Sequence, residues 1–224
     1  MKKTIAGLCL IMLAFTVRAQ GDGSQLLTSL VKELENTATV RDHHKAIKDY
    51  QDLAEGFLRI ADTHKTQWLP YYYAAFCNAK VGWLYQDDGE QIEPYANKGD
   101  EQIKKALSLL DTTRDKKGLS EVYCVMSMVN RARVFINPAT YGRQYGPSAS
   151  HYIQLAKAAN PDNPRALYLE GWEKYTTPKM WGGDKTKARE LLQAAKQKFD
   201  GQAGGEPTQP HWGRQDVEDL LAKN

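Results

Sequence analysis

The residues best suited to bind something are aromatic, and those suited to catalysis are scattered. Two stretches, 137–147 and 177–184, are built alike, with a proline near the start of each and glycine near its end. They carry Tyr141, Arg143, Tyr145 and Trp181. Aromatic and basic side chains on such turns suit a sugar ring or another small ligand. The competing reading is structural: the glycines supply positive φ and the rings staple loops to helices. His43-His44 beside Asp42 comes nearest to a metal set. Neighbours on a helix point about 100° apart, so two adjacent histidines rarely share an ion. No HExxH, GxSxG, CxxC or phosphate-cradling GxxxxGK[ST] occurs. Gly182-Gly183 precedes a helix and could hold an anion there, but Asp184 would oppose it. Asp87, Asp88, Glu90 and Glu93 read as a solvated loop rather than an acid–base pair. The expectation is a binding protein, not an enzyme, with no catalytic residue, metal or cofactor assigned.

Composition bounds the partner. The chain has 224 residues, 42% hydrophobic and 25% charged, enough for one packed domain. Residues 1–19 read as a secretory signal: Lys2 and Lys3, then an apolar stretch from 5 to 17, then Val17-Arg18-Ala19. Cys9 lies inside that stretch rather than closing it, which favours soluble export over lipidation. Beyond the leader, 27 Lys+Arg balance 27 Asp+Glu, which removes the basic excess of a nucleic-acid binder. No later apolar run is long enough to span a bilayer. The expected location is the periplasm or the cell exterior. Cys77 and Cys124 remain; both fall in apolar helical stretches, as buried thiols or as one disulfide.

The elements that must position these residues are helices. Leu26, Leu27, Leu30, Val31 and Leu34 share one face after a Ser24 cap. Further helical spacing covers 43–64, 68–85, 97–111, 117–136, 148–159, 164–176, 184–199 and 214–222, and strand-like alternation is missing, so the fold class is all-α. Ser148 and Asp184 are the natural caps of the segments they precede. Four segments repeat a small–large–small pattern on one helix face: Ala54/Leu58/Ala61, Gly99/Ile103/Ala106, Ala149/Ile153/Ala156 and Ala188/Leu192/Ala195. Small residues let a neighbouring helix approach closely while the large one fills the gap.

With Pro161 ending one unit and Gly171 midway along the next helix, this pattern resembles the tetratricopeptide repeat, a helix pair of 34 residues. The stretch 149–171 matches best, and the likeness covers roughly 42–199. It implies a right-handed solenoid of about four helix pairs (24–66, 68–111, 117–161, 164–199), a mobile linker at 200–213 and a capping helix at 214–224. Between the eighth and twentieth positions the units run 12, 11 and 5 residues longer than the standard repeat, which implies lengthened loops along one edge. With its leader, the chain looks like secreted tetratricopeptide-like proteins of Gram-negative bacteria.

The resemblance also implies a binding face. First helices of such pairs line a concave side, and in this register Tyr72, Tyr123 and Tyr168 take equivalent inward positions. Phe76, Asn130, Trp172 and Tyr175 take others, with Arg165 as the basic member. The family's carboxylate clamp is missing, because Tyr72, Phe76, Cys124 and Leu169 stand at clamp positions. Recognition of a protein or peptide of the cell envelope would then rest on aromatic contact. Two arrangements stay open: an exposed aromatic groove, or rings covered by the long loops, the linker or the last helix.

Overall fold

The computed structural model describes residues 23–202 and 205–223, so the expected leader, with Cys9, lies outside the described residues. Within them all regular structure is helical, and no strand occurs. We number the helices α1 (23–37), α2 (His43–Thr63), α3 (Trp68–Leu84), α4 (Ile92–Leu109), α5 (Lys116–Ile136), α6 (Pro138–Ala159), α7 (Pro164–Thr176), α8 (Lys185–Asp200) and α9 (Arg214–Ala222). Short 3-10 turns, Gly89–Gln91 and Lys179–Trp181, precede α4 and α8. None of the described helices is long and apolar enough to cross a membrane.

Sequence chemistry explains the boundaries. Asp42, Asp115 and Asp184 each accept the backbone amide three residues on, capping α2, α5 and α8. Asn137 caps α6 by accepting the Ala139 and Thr140 amides and Asn163 caps α7 by accepting that of Arg165, ahead of Pro138 and Pro164, where proline's missing N–H is no loss. The α2 stripe of Ile47, Tyr50, Leu53, Phe57 and Ile60 is buried on one side only. α3 is apolar almost all round and is buried on nearly every side, between α2, α4 and α5. It is the central element.

The hairpins α3–α4, α5–α6 and α7–α8 pack most closely within themselves, and α3 also lies against α5. Small residues set these approaches. A Cβ on Gly99 would stand 3.1 Å from Val129 and 3.4 Å from the Ala75 carbonyl; on Gly171 it would meet Leu192 at 3.0 Å and the Ala188 carbonyl at 3.3 Å. The small positions of the repeat pattern therefore face each other across two hairpins. Between α3 and α5, a Cβ on Gly82 would come 2.9 Å from that of Ala132.

Three expectations need correction. The extra residues do not form a loop between α5 and α6: Asn137 alone joins the two helices, and 138–147 is the first half of α6. Pro147 lies inside that helix, and Ser148 is mid-helix rather than a cap. The glycines and proline there predict a turn, but the Asn137 cap and the pairing with α5 outweigh them. Likewise α4 begins at Ile92, so only 85–88 and one 3-10 turn are left of the lengthened loop between α3 and α4. Finally, the end of the expected mobile linker is packed: Pro210 and Trp212 are buried, and the Thr208 carbonyl accepts the Tyr73 hydroxyl at 2.8 Å, while 205–207 are exposed.

Candidate ligand-binding site

The expected aromatic ladder exists in part, and the chain covers it with its own C-terminal segment. Trp212 sits over Phe76, ring centroids 4.7 Å apart, and meets Tyr168 edge-on at 6.4 Å. Its Nε1 donates to the Tyr72 hydroxyl at 2.7 Å, and Tyr72 donates on to Glu121 Oε2 at 3.1 Å. Tyr72, Phe76 and Tyr168 are buried. Burial pushes the Tyr72 and Tyr168 phenols well above their usual pKa.

Arg165 is also buried, and its Nε lies 2.7 Å from Glu121 Oε2. Burial lowers the guanidinium pKa, but Glu121 and Tyr72 together outweigh it and the net shift is upward. Asn163 donates to the same carboxylate at 2.8 Å, which ties the start of α7 to α5. The basic residue is thus held in a buried ion pair, with its Nη1 buried and without a hydrogen-bond partner among the described residues. Asn130 is buried as well and bonds back to the Met126 carbonyl at 2.8 Å.

The remaining candidates are spread out. Tyr123 stacks on Tyr152 of α6, centroids 6.1 Å apart, so its ring does not join those of Tyr72 and Tyr168 under Trp212. Trp172 is half-buried against Trp83 at 4.6 Å and Phe135 at 6.1 Å, with Arg131 over its face. Lys185 lies over Tyr175. Tyr141 and Tyr145 stack on each other one turn apart along α6, Arg133 lies over Tyr145, and Arg143 is exposed. Trp181 stands apart, 73% exposed in the α7–α8 turn. Cys77 and Cys124 are buried free thiols, and burial raises both pKa values. Among the described residues no cluster of histidine, cysteine and carboxylate could hold a metal ion.

The larger open space lies elsewhere, in a groove of about 1000 Å³ between α2 and α4 with α3 as its floor. Ala54 and Leu58 of α2, Tyr71 of α3 and Tyr95 of α4 give it apolar and aromatic walls. Tyr95 stacks on Tyr85 at 5.9 Å, and its hydroxyl accepts from Gln51 Nε2 at 2.6 Å. Lys98, Lys104 and Lys105 stand along the α4 side, Asp52, Glu55 and Asp62 along the α2 side. Asn78 at the floor donates to Gln102 Oε1 at 2.9 Å. The groove therefore offers two phenols, an apolar wall, three ammonium groups and four carboxylates, with Glu101 among the lysines of α4 and Lys104 paired with Asp100 at 2.7 Å.

A second cavity, about 200 Å³ beside Tyr50, Lys80 and Trp212, is smaller than ordinary ligand pockets of about 300–1,000 Å³. The aromatic ladder drew attention in the sequence because its rings recur in register. The groove has no such repetition; only the spacing of Tyr95, Lys98, Gln102 and Lys105 on one helix side could have marked it.

No protein-family profile matches the chain, and no curated protein does. Among solved structures, the HusA haemophore from Porphyromonas gingivalis is similar to it, with a TM-score of 0.74 and 28% sequence identity over 89% of this chain and 90% of that one. The likeness runs through nearly the whole of both chains, in fold and sequence together.

Proposed function

We propose that this chain is an exported carrier that binds a flat, carboxylate-bearing macrocycle of the haem class in the α2–α4 groove. The observation that carries the reading is the likeness to a haemophore over nine-tenths of both chains, joined to a groove of matching size. At about 1000 Å³ the groove reaches the upper end of small-ligand sites, whereas the cavity beside Trp212 is too small.

The residues present fit such a group. Tyr71, Tyr95 and Leu58 would lie against its faces, and Lys98 and Lys105 would meet its acidic arms, Lys104 being paired with Asp100. Neither histidine, cysteine nor methionine lines the groove, so an iron ligand from its walls would be a tyrosine oxygen, a ligand type that haem proteins use. The chain's own part is binding and orientation; we assign it no catalysis.

We also propose that the hairpins are degenerate tetratricopeptide pairs. Ala75 facing Gly99 and Gly171 facing Ala188 support this, since the repeat needs small residues at those places. A protein partner on the concave side is the second reading. It would have to use Trp172 and Tyr175, because Trp212 covers Tyr72, Phe76 and Tyr168.

Absorption titration with haem tests the first reading. A saturable one-to-one change in the haem spectrum supports it; a spectrum identical to haem in buffer across the concentration range ends it.

A further inference from the structure

The turn between α7 and α8 is tightly held, yet it gives two large apolar side chains to solvent. Met180 is 82% exposed and Trp181 73%, more than any other large hydrophobic residue described. The Trp181 amide donates to Pro178 O at 2.9 Å, Gly182 N to Lys179 O at 3.1 Å and Gly183 N to Pro178 O at 3.2 Å. Asp184 N and Lys174 Nζ close the base, on Lys174 O and Gly182 O. Gly182 adopts φ +93°, and a Cβ on Gly183 would fall 1.7 Å from the Thr177 carbonyl, so both glycines are required. Five hydrogen bonds and two special glycines thus present Met180 and Trp181 outward, which a loop without a partner has no need to do.

The charge around this tip is one-sided. From 174 to 189 there are five cations (Lys174, Lys179, Lys185, Lys187, Arg189) and one carboxylate, Asp184, on a chain whose residues 20–224 balance to zero. Asp184 caps α8, and Lys187 pairs with Glu190, the next acid along. Lys179, beside the two apolar residues, has no acidic partner among the described residues. A protein interface of ordinary size needs about 800 Å² per partner, whereas a large side chain supplies only about 200 Å². A bilayer needs no matching surface. A small apolar tip enters the boundary between headgroups and acyl chains, where tryptophan is favoured, and lysines meet anionic headgroups. We propose that the Met180–Trp181 turn is a contact tip for an anionic lipid bilayer. The proposal does not depend on what the groove binds.

Co-sedimentation of the ligand-free protein with phosphatidylcholine vesicles, with and without phosphatidylglycerol, tests it. The expected result is binding to the anionic vesicles only, weakened by salt, with a blue shift of tryptophan emission that Trp181→Phe removes. Each of Met180→Ser and Trp181→Ser should weaken partitioning about tenfold, the effect of an apolar side chain left in water. Lys179→Glu with Lys185→Glu should narrow the difference between the two lipids. These sites are exposed, so unchanged far-UV dichroism is expected and will confirm that each variant folds. Wild-type protein that ignores anionic vesicles, or a tip variant that binds them equally, overturns the assignment. Tip-dependent binding to a purified envelope protein with none to lipid also overturns it.

Discussion

Replacing Trp212 with alanine should cost far more than its distance from the helix pairs in sequence implies. The indole is 6% exposed, lies on Phe76 and Tyr168, and donates to the Tyr72 hydroxyl. Truncating a buried tryptophan costs about 3–5 kcal/mol, and the lost hydrogen bond adds about 1 kcal/mol. Tyr72 keeps its bond to Glu121, so no orphaned hydroxyl adds to that. We therefore expect a loss of about 5 kcal/mol, which for a chain of this size lowers the midpoint by roughly 10–20 °C. Thermal and urea unfolding followed by far-UV dichroism measure it. Trp181→Ala is the internal control: its ring is 73% exposed, and the change should stay within about 0.5 kcal/mol. Equal midpoints for the two variants would refute the account of Trp212 as part of the core.

The other expectations concern charge, pH and the tip. Glu121→Met leaves Arg165 buried and unpaired and should cost about 3–5 kcal/mol, while the double variant Glu121→Met/Arg165→Met should cost less than the single one. Above pH 10 the protein should lose stability steeply. Burial holds Tyr50 up at about 12 and Tyr72, Tyr73 and Tyr168 higher than usual, so these phenols favour the fold below their unfolded value of 10. As pH rises from 10 towards 12 the unfolded chain ionises first, and each such phenol removes about 1.4 kcal/mol per pH unit. Urea midpoints measured at pH 8, 10 and 11 on the wild type should fall in that order, and a flat profile would contradict the burial of these rings. Gly183→Ala should lower the midpoint by the equivalent of about 1–3 kcal/mol, because its Cβ cannot share space with the Thr177 carbonyl.

Much of the helical layout is legible in the sequence, because apolar residues at helical spacing and Asp or Asn caps coincide at most boundaries. The exception is physical. Gly142, Gly146 and Pro147 carry local turn preference, yet Asn137 caps a helix straight through them, and only its second half is buried, at Ala149, Ile153 and Ala156. Local propensity is a weak prior where packing supplies the stability. The aromatic side chains at issue are visible as residues but not as surroundings. Tyr72 and Tyr168 share Trp212, whereas Tyr123 turns to Tyr152, a choice made by contacts between distant segments. The groove is harder still to foresee: its walls come from three helices, and Tyr71, Tyr95 and Lys98 become neighbours of one space only after α2 and α4 pack on α3.

Haem affinity measured for three forms tests the groove most directly: wild type, Tyr71→Ala/Tyr95→Ala and Trp172→Ala. The groove variant should bind at least about tenfold more weakly, the equivalent of one lost aromatic contact, and Trp172→Ala should match wild type. Equal binding by the groove variant, with loss in Trp172→Ala, would place the ligand at Trp172 and contradict the account.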